Sequence, residues 1–309
     1  MKTLVHIGYH KTGSTFLQRR IFKHHPHIQL VNRKELKKVF LRVGSLAFDA
    51  ARAGEWIAAQ RPKAGNGRKV LVISDEELSG NIHTGGNGGY LPKEVADRLR
   101  AVLPDAQIAI FIRNQYDIIE SVYRQYVKKG GTLRIKKYLF DRGGLNHRFP
   151  LFSFDHFDYR PLIAYYISLF GRERVHVFLN EEMKKDIDAF LADFFARTAI
   201  PPAGQASEQE RKWANVRMSF ASIFLARLTN RFYGSDPINR RVIVHIPGFY
   251  RFWRHLYRGI DRLSLVRKVD RKRSFLSAPL RDHITKRYGS SNRQLADLID
   301  VDLSGHGYP

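Results

Sequence analysis

Four short runs of the chain, Thr3 to Gly8, Lys69 to Ser74, Gln107 to Arg113 and Arg174 to Asn180, are apolar at nearly every position. Strands with one wet face alternate polar and apolar residues, so unbroken β-branched runs such as VLVIS and IAIFI predict strands covered on both sides. Between the runs the apolar spacing changes to three and four residues. It predicts a helix from near Ser14 through Phe16, Leu17, Ile21 and Phe22, and another after Arg113 carrying Ile118, Ile119, Val122, Tyr123 and Tyr126. Strand and helix in alternation give βαβ units, hence an α/β fold around a central parallel sheet. Both helices open at strand ends, where open α/β sheets bind their ligands.

Composition adds a sign to that ligand. The 309 residues hold 53 Lys+Arg against 29 Asp+Glu, a net charge of +24, with 43% hydrophobic and 12% aromatic residues. Such a chain can bury a core, which excludes a disordered polycation, and its field attracts anions. The excess is uneven: Arg211 to Ser290 carries 19 basic residues and four acids. This pattern predicts one domain over 1–309, with a core of about 1–200 and a basic helical extension over about 205–309. The absence of cysteine excludes disulfides, thiolate metal sites and a thiol nucleophile, and fits a reducing compartment. His24, His25 and His27 lack a spaced fourth ligand, so no metal site is expected. The apolar stretch in MKTLVHIGYHKTG is too short for a secretory segment, and Pro161 to Phe170 falls below the ~18 residues that span a bilayer. The expected location is the cytoplasm, at most peripheral at the inner face of the membrane.

Three constellations carry chemistry. Leu4 to Leu17 runs strand, tight turn, helix, and places Lys11, Thr12, Gly13, Ser14 and Thr15 at a helix start, where unpaired N–H groups and the positive end of the dipole favour an anion. An ATP-type loop puts lysine directly after its second glycine. Here Lys11 precedes Gly13 by two residues, which points to a shorter anion than a triphosphate. Arg113 and Ser121, eight residues apart across a strand end and the next helix, offer a guanidinium fork and a hydroxyl to a second phosphate. Asp75, Glu76 and Glu77 close the second apolar run. One reading makes a carboxylate there a general base, with its pKa raised by partial burial; the other makes the run a magnesium-holding element of a kinase, against which the lysine position weighs. His6, His10 and His83 are rival bases, although a protonated His10 beside Lys11 is disfavoured.

Gly8-Tyr9-His10-Lys11-Thr12-Gly13-Ser14-Thr15-Phe16-Leu17 resembles the 5′-phosphosulfate loop of sulfotransferases that use 3′-phosphoadenosine-5′-phosphosulfate (PAPS), bacterial members in particular. The resemblance implies a P-loop-like three-layer fold. It implies that Lys11, Thr12, Gly13, Ser14 and Thr15 hold the phosphosulfate, with Lys11 stabilising the departing oxygen. Phe16 falls where cytosolic members stack a tryptophan on adenine, and Arg113 with Ser121 falls where the 3′-phosphate is held. Bacterial members read Ser-x-Glu-x-Leu after the second strand, which selects Glu76 in Ser74-Asp75-Glu76-Glu77-Leu78, with Glu77 its neighbour. Similarity extends weakly through Tyr123-Arg124, where the arginine reads as a solvated charge, through VHVFLNEEM, through Asn215 and Ser219, and through the closing Tyr288 to Pro309. No Arg-Lys-Gly cofactor loop is present.

The implied activity is metal-free transfer of sulfuryl from PAPS to a hydroxyl, or less readily an amine, of a saccharide or glycolipid, with no nucleic acid as partner. Two other functions compete: a P-loop kinase using ATP and Mg²⁺, and a non-catalytic binder of acidic glycan or nucleic acid. Gly80 to Tyr90, rich in glycine, reads as a surface loop or a substrate-side lid. Gly248 to Val269 sets Phe252, Leu256, Ile260, Leu263 and Val266 on one helical face among arginines, the pattern of a helix that packs on its own core or lies on an anionic membrane.

Overall fold

The computed structural model describes residues 2–61, 67–86, 90–141, 150–202, 218–232, 243, 244, 246–262 and 273–309. Within these, five strands form one sheet: β1 (Lys2–Gly8), β2 (Ile28–Leu30), β3 (Val70–Ser74), β4 (Gln107–Ile112) and β5 (Val175–Leu179). Their order is β2-β3-β1-β4-β5 and every pairing is parallel. The four predicted strands are all present. The edge strand β2 is not readable from sequence, because three residues with half-exposed Gln29 and Leu30 give no apolar run.

The helices are α1 (Ser14–Phe16), which continues as π-helical turns over Leu17–Phe22, α2 (Arg33–Leu36), α3 (Ala50–Ala59), α4 (Tyr90–Val102), α5 (Gln115–Lys128), α6 (Ile135–Leu139), α7 (Tyr159–Phe170), α8 (Asn180–Lys185), α9 (Ile187–Thr198), α10 (Phe220–Thr229), α11 (Phe249–Arg262) and α12 (Ala278–Ile299). The chain divides into two compact units. One comprises Met1–Gln115, Ser153–Trp213 and Tyr288–Pro309; the other comprises Tyr116–Phe152 and Ala214–Arg287.

The first unit contains the sheet. On one face Leu4, Val72, Ala109, Phe111 and Phe178 pack under Leu17, Phe22, Phe190 and Phe194. On the other, α7 lies against β4 and β5, and α4 lies against α7. Burial on both faces explains the unbroken apolar runs. The C-terminal segment closes this unit: Asn292 exchanges hydrogen bonds with Gln115 (3.0 and 3.1 Å), and its Nδ2 also donates to the Pro309 carbonyl at 2.9 Å. Asn114 donates to the Gly307 carbonyl, and Tyr308 donates to Glu181 at 3.2 Å.

The second unit is helical. Tyr123, Tyr126 and Tyr138 cluster, with Tyr126 and Tyr138 stacked at 4.4 Å, and the Tyr126 hydroxyl accepts from the N–H groups of Thr132 and Leu133. Arg124 is not the solvated charge that its helix position predicts. It is 6% exposed, sits over the rings of Phe220 and Phe275, and donates to the Met218 carbonyl. Guanidinium planes tolerate such burial because they stack on aromatic faces while their N–H groups bond carbonyls.

Candidate active site

In β1 and β3 His6 stands opposite Ser74, so Gly8-Tyr9-His10 and Asp75-Glu76 leave the sheet side by side. The first of these segments turns sharply. Thr12 donates to the Tyr9 carbonyl through its N–H (3.3 Å) and its hydroxyl (2.5 Å), Lys11 adopts φ 72° and Gly13 φ 99°. A left-handed lysine costs about 1 kcal/mol and is kept only where the surroundings impose it. They do so here. Asn180, at the end of β5, donates to the Thr12 carbonyl at 2.9 Å, and Arg113, just beyond β4, donates to the Lys11 carbonyl at 3.2 Å. Gly13 needs glycine for its positive φ, and a Cβ on Gly8 would crowd the Ser14 hydroxyl.

This turn ends at the open start of α1. The Gly13 carbonyl takes the N–H groups of Phe16 and Leu17, which leaves those of Ser14 and Thr15 at the helix entrance. Ser14 is 5% exposed, and its hydroxyl has no hydrogen-bond partner among the described residues. A buried hydroxyl without a partner is costly unless a ligand completes it. Lysine, hydroxyl, helix start and absent glycine side chains together form a cradle that fits a phosphate or sulfate oxygen.

The acidic segment is held from the opposite side of β1. Arg33, placed by the Asn32 cap that accepts from Lys34 N at 2.9 Å, donates to Asp75 at 2.9 Å, to Glu76 at 2.8 Å and to Gln18 at 2.9 Å. Gln18 in turn donates to Ser74 Oγ at 3.1 Å and to Glu76 at 3.3 Å. Lys37 pairs with Glu77 at 2.5 Å and approaches Asp75 at 3.6 Å. The two inner carboxylates respond differently. At Asp75, with no side-chain exposure, burial dominates over Arg33 and the carboxyl sits above its ordinary value. At Glu76 burial also pushes upward, but the Arg33 charge, a backbone N–H and His10 together outweigh it, and the carboxyl lies below its ordinary value. The raised pKa expected of a base at position 76 is therefore not found, because Arg33 neutralises the effect of burial.

Four buried histidines of this unit are held neutral. Burial lowers His6 to about 3, His10 to about 4, His83 to about 4 and His156 to about 3. His6 is spent structurally, its Nδ1 on Ser74 Oγ at 2.7 Å and its ring edge-on to Phe22 and Phe111. At His10 burial is the largest effect, and the charges of Lys11 and Lys37 add to it against those of Glu76 and Glu77.

Of the residues expected at the site, Lys11, Thr12, Gly13, Ser14, Thr15 and Arg113 meet around this turn, and Glu76 stands at the neighbouring strand end. Phe16 is 6% exposed and packs in the core cluster. Ser121 lies on α5 in the second unit. Asn215 falls outside the described residues, as do Gly88 and Gly89 of the glycine stretch. The described part of that stretch is a folded turn in which Gly85 N donates to Asn81 O at 2.8 Å and the His83 carbonyl accepts from Ser153 N at 2.9 Å. Gln18, Arg33, Lys37 and Asn180 escape sequence reasoning. Only Gln18 carries a signal, as it lies four residues after Ser14 and so on the same helical face.

Beside the turn, Tyr9, Thr84, Pro92, Lys93, Ser153, Asp155, His156, Asp158, Pro161, Leu162 and Tyr165 line a cavity of about 450 Å³. That is within the range of small-molecule sites.

Among solved structures, the chain is similar to a sulfotransferase from Alicyclobacillus acidocaldarius, with a TM-score of 0.51 and 19% identity over 82% of this chain and 99% of that one. Weaker similarity is found to mouse sulfotransferase SULT7A1 complexed with PAP (TM-score 0.36, 15% identity, 88% and 89% coverage) and to the sulfotransferase domain from the curacin biosynthetic pathway (0.41, 14%, 83% and 97%). No protein-family model matches the chain, and no curated protein is significantly similar to it in sequence. The five-stranded parallel sheet and the first of these likenesses establish the architecture: a P-loop-like α/β fold shared with a sulfotransferase.

Proposed function

We propose that this protein is a sulfotransferase that takes sulfuryl from PAPS and delivers it to a hydroxyl of a saccharide or glycolipid acceptor. The observation that carries the reading is the buried Ser14 hydroxyl at the start of α1, without a partner among the described residues, in a turn whose Lys11 carbonyl is held by Arg113. Lys11, Thr12, Gly13, Ser14 and Thr15 would hold the 5′ end of the nucleotide, and Arg113 would bind the 3′-phosphate. The bound donor supplies an activated sulfuryl group.

The chain's own residues do the rest. Lys11 and the open N–H groups of α1 place positive charge where a departing phosphate collects negative charge, so they stabilise the transition state more than the ground state. Glu76, kept ionised by Arg33, accepts the proton of the acceptor hydroxyl. His10, neutral and with a buried Nδ1 that has no partner among the described residues, is the competing base. The cavity beside Tyr9 supports a ring-shaped acceptor rich in hydroxyls: Tyr9 and Tyr165 supply aromatic surface, and Asp155 and Asp158 supply acceptors.

Adenosine 3′,5′-bisphosphate at about 100 times its Kd should raise the melting temperature by roughly 5 °C. Lys11→Ala and Arg113→Ala should each weaken that shift and lower transfer to a glycan panel read by mass spectrometry. Stabilisation by ATP with Mg²⁺ and none by the bisphosphate would instead identify a kinase. Glu76→Gln with unchanged transfer, alongside an inactive His10→Asn, would move the base to the histidine.

A further inference from the structure

The second unit exposes an apolar surface that the proposed reaction does not use. Among the described residues, eight of the ten large apolar side chains that stand open to solvent fall between Phe224 and Leu256. Phe224 (61% exposed) and Leu228 lie one turn apart on α10, and Phe252 (66%) and Leu256 lie one turn apart on α11. The rows join where the Phe232 ring meets Phe249 at 6.0 Å and where Ile243 N and Ile246 N donate to the carbonyls of Arg231 and Phe232. Scattered exposed apolar residues need no explanation; a contiguous surface of this size does.

The opposite faces of the same helices are satisfied. Tyr257 is 6% exposed and bonds the Thr229 hydroxyl, while Ile223 and Ala226 are buried. Asp261 turns inward, accepting from Ser219 N at 2.9 Å and from the Ser222 hydroxyl at 2.7 Å. The helix pair is therefore packed on its inner side. Asp261 is also the single acid in residues 218–232 and 246–262, which contain six arginines, so no other carboxylate in these segments repels an anionic partner.

We infer that this surface docks on an anionic phospholipid bilayer. Phe224, Leu228, Phe252 and Leu256 enter the acyl boundary, and the arginine-rich setting is drawn to the phosphate headgroups. Apolar side chains on a strongly basic, acid-poor helical element are what interfacial binding requires, since neither hydrophobic area nor charge alone anchors stably. The inference is independent of the sulfuryl-transfer reading. It corrects the sequence expectation in one respect: the exposed row is Phe252 and Leu256, Ile260 is half-buried, and Leu263 and Val266 fall outside the described residues.

The test is cosedimentation of the full chain with vesicles of equal phosphatidylglycerol and phosphatidylcholine, against vesicles of phosphatidylcholine alone, at ~0.1 M salt. The wild type should bind the mixed vesicles, bind the neutral ones at least about tenfold more weakly, and be released by raised salt. F224S/F252S should lose about tenfold in affinity for the mixed vesicles with an unchanged melting temperature, because both rings face solvent. Equal binding to both compositions, binding to neither, or full binding by the double variant overturns the inference. A wild-type dimer that the double variant dissociates also overturns it, by assigning the surface to a second copy of the chain.

Discussion

Replacing Arg33 with alanine removes the one guanidinium that bonds Asp75, Glu76 and Gln18 together. Asp75 has no side-chain exposure and would keep only Lys37, at 3.6 Å, and the Glu77 N–H, at 2.8 Å. Taking one partner from a fully buried ion pair costs ~3–5 kcal/mol. Arg33 is 35% exposed, so solvent already screens part of the attraction, and about 2–3 kcal/mol is expected at neutral pH. The pH dependence identifies the cause. Native Asp75 has a raised carboxyl, so its ionised form costs stability above the ordinary carboxylate range, and protonation removes that cost. Loss of Arg33 enlarges the cost. Glu76 has a lowered carboxyl, contributes stability above that range and loses it as pH falls; the variant lacks this contribution from the start. Both effects make the deficit of the variant largest near pH 7.5 and smaller near pH 4.5. Urea unfolding followed by circular dichroism at the two pH values measures it, and Asp75→Asn added to Arg33→Ala should recover part of the loss. A deficit that is equal at both pH values, or a double variant no better than the single one, would refute the reasoning.

Lys11→Gly and Lys11→Ala both remove the charge at the turn, and each should lower transfer by about 10²-fold or more, measured as initial rate. They should differ in stability: the glycine variant accepts φ 72° without strain and should be about 1 kcal/mol more stable than the alanine variant in urea, with equal stabilities counting against an imposed left-handed backbone. His6, His10, His83 and His156 all have native values of about 3 to 4, below the 6.5 of a free histidine, so the unfolded chain binds more protons in that window. The unfolding free energy should therefore fall as pH drops from about 6.5 towards 4, and His83→Gln should flatten the slope; a flat wild-type profile would exclude buried neutral histidines.

Local pattern determined the sheet. VLVIS and IAIFI are buried on both faces, so their apolar runs are unbroken and mark β3 and β4. The anion cradle was legible for a related reason, since Lys11, Gly13, Ser14 and Thr15 lie within one turn and their chemistry depends on neighbours in sequence. Arg113 needed only its place at a strand end. The short edge strand β2 was not legible, having too few residues to show a period.

What only the tertiary structure decided is the electrostatic state of the carboxylates. Arg33 reaches Asp75 and Glu76 across 42 and 43 residues of chain, and nothing in its local sequence announces that partner. The same holds for Arg124, which sequence places among solvated helix charges and the fold buries against two phenylalanines. A helix or strand period reports which face of an element is buried, but a charge is set by what lies opposite it, and parallel strand order brings opposite groups together from distant segments.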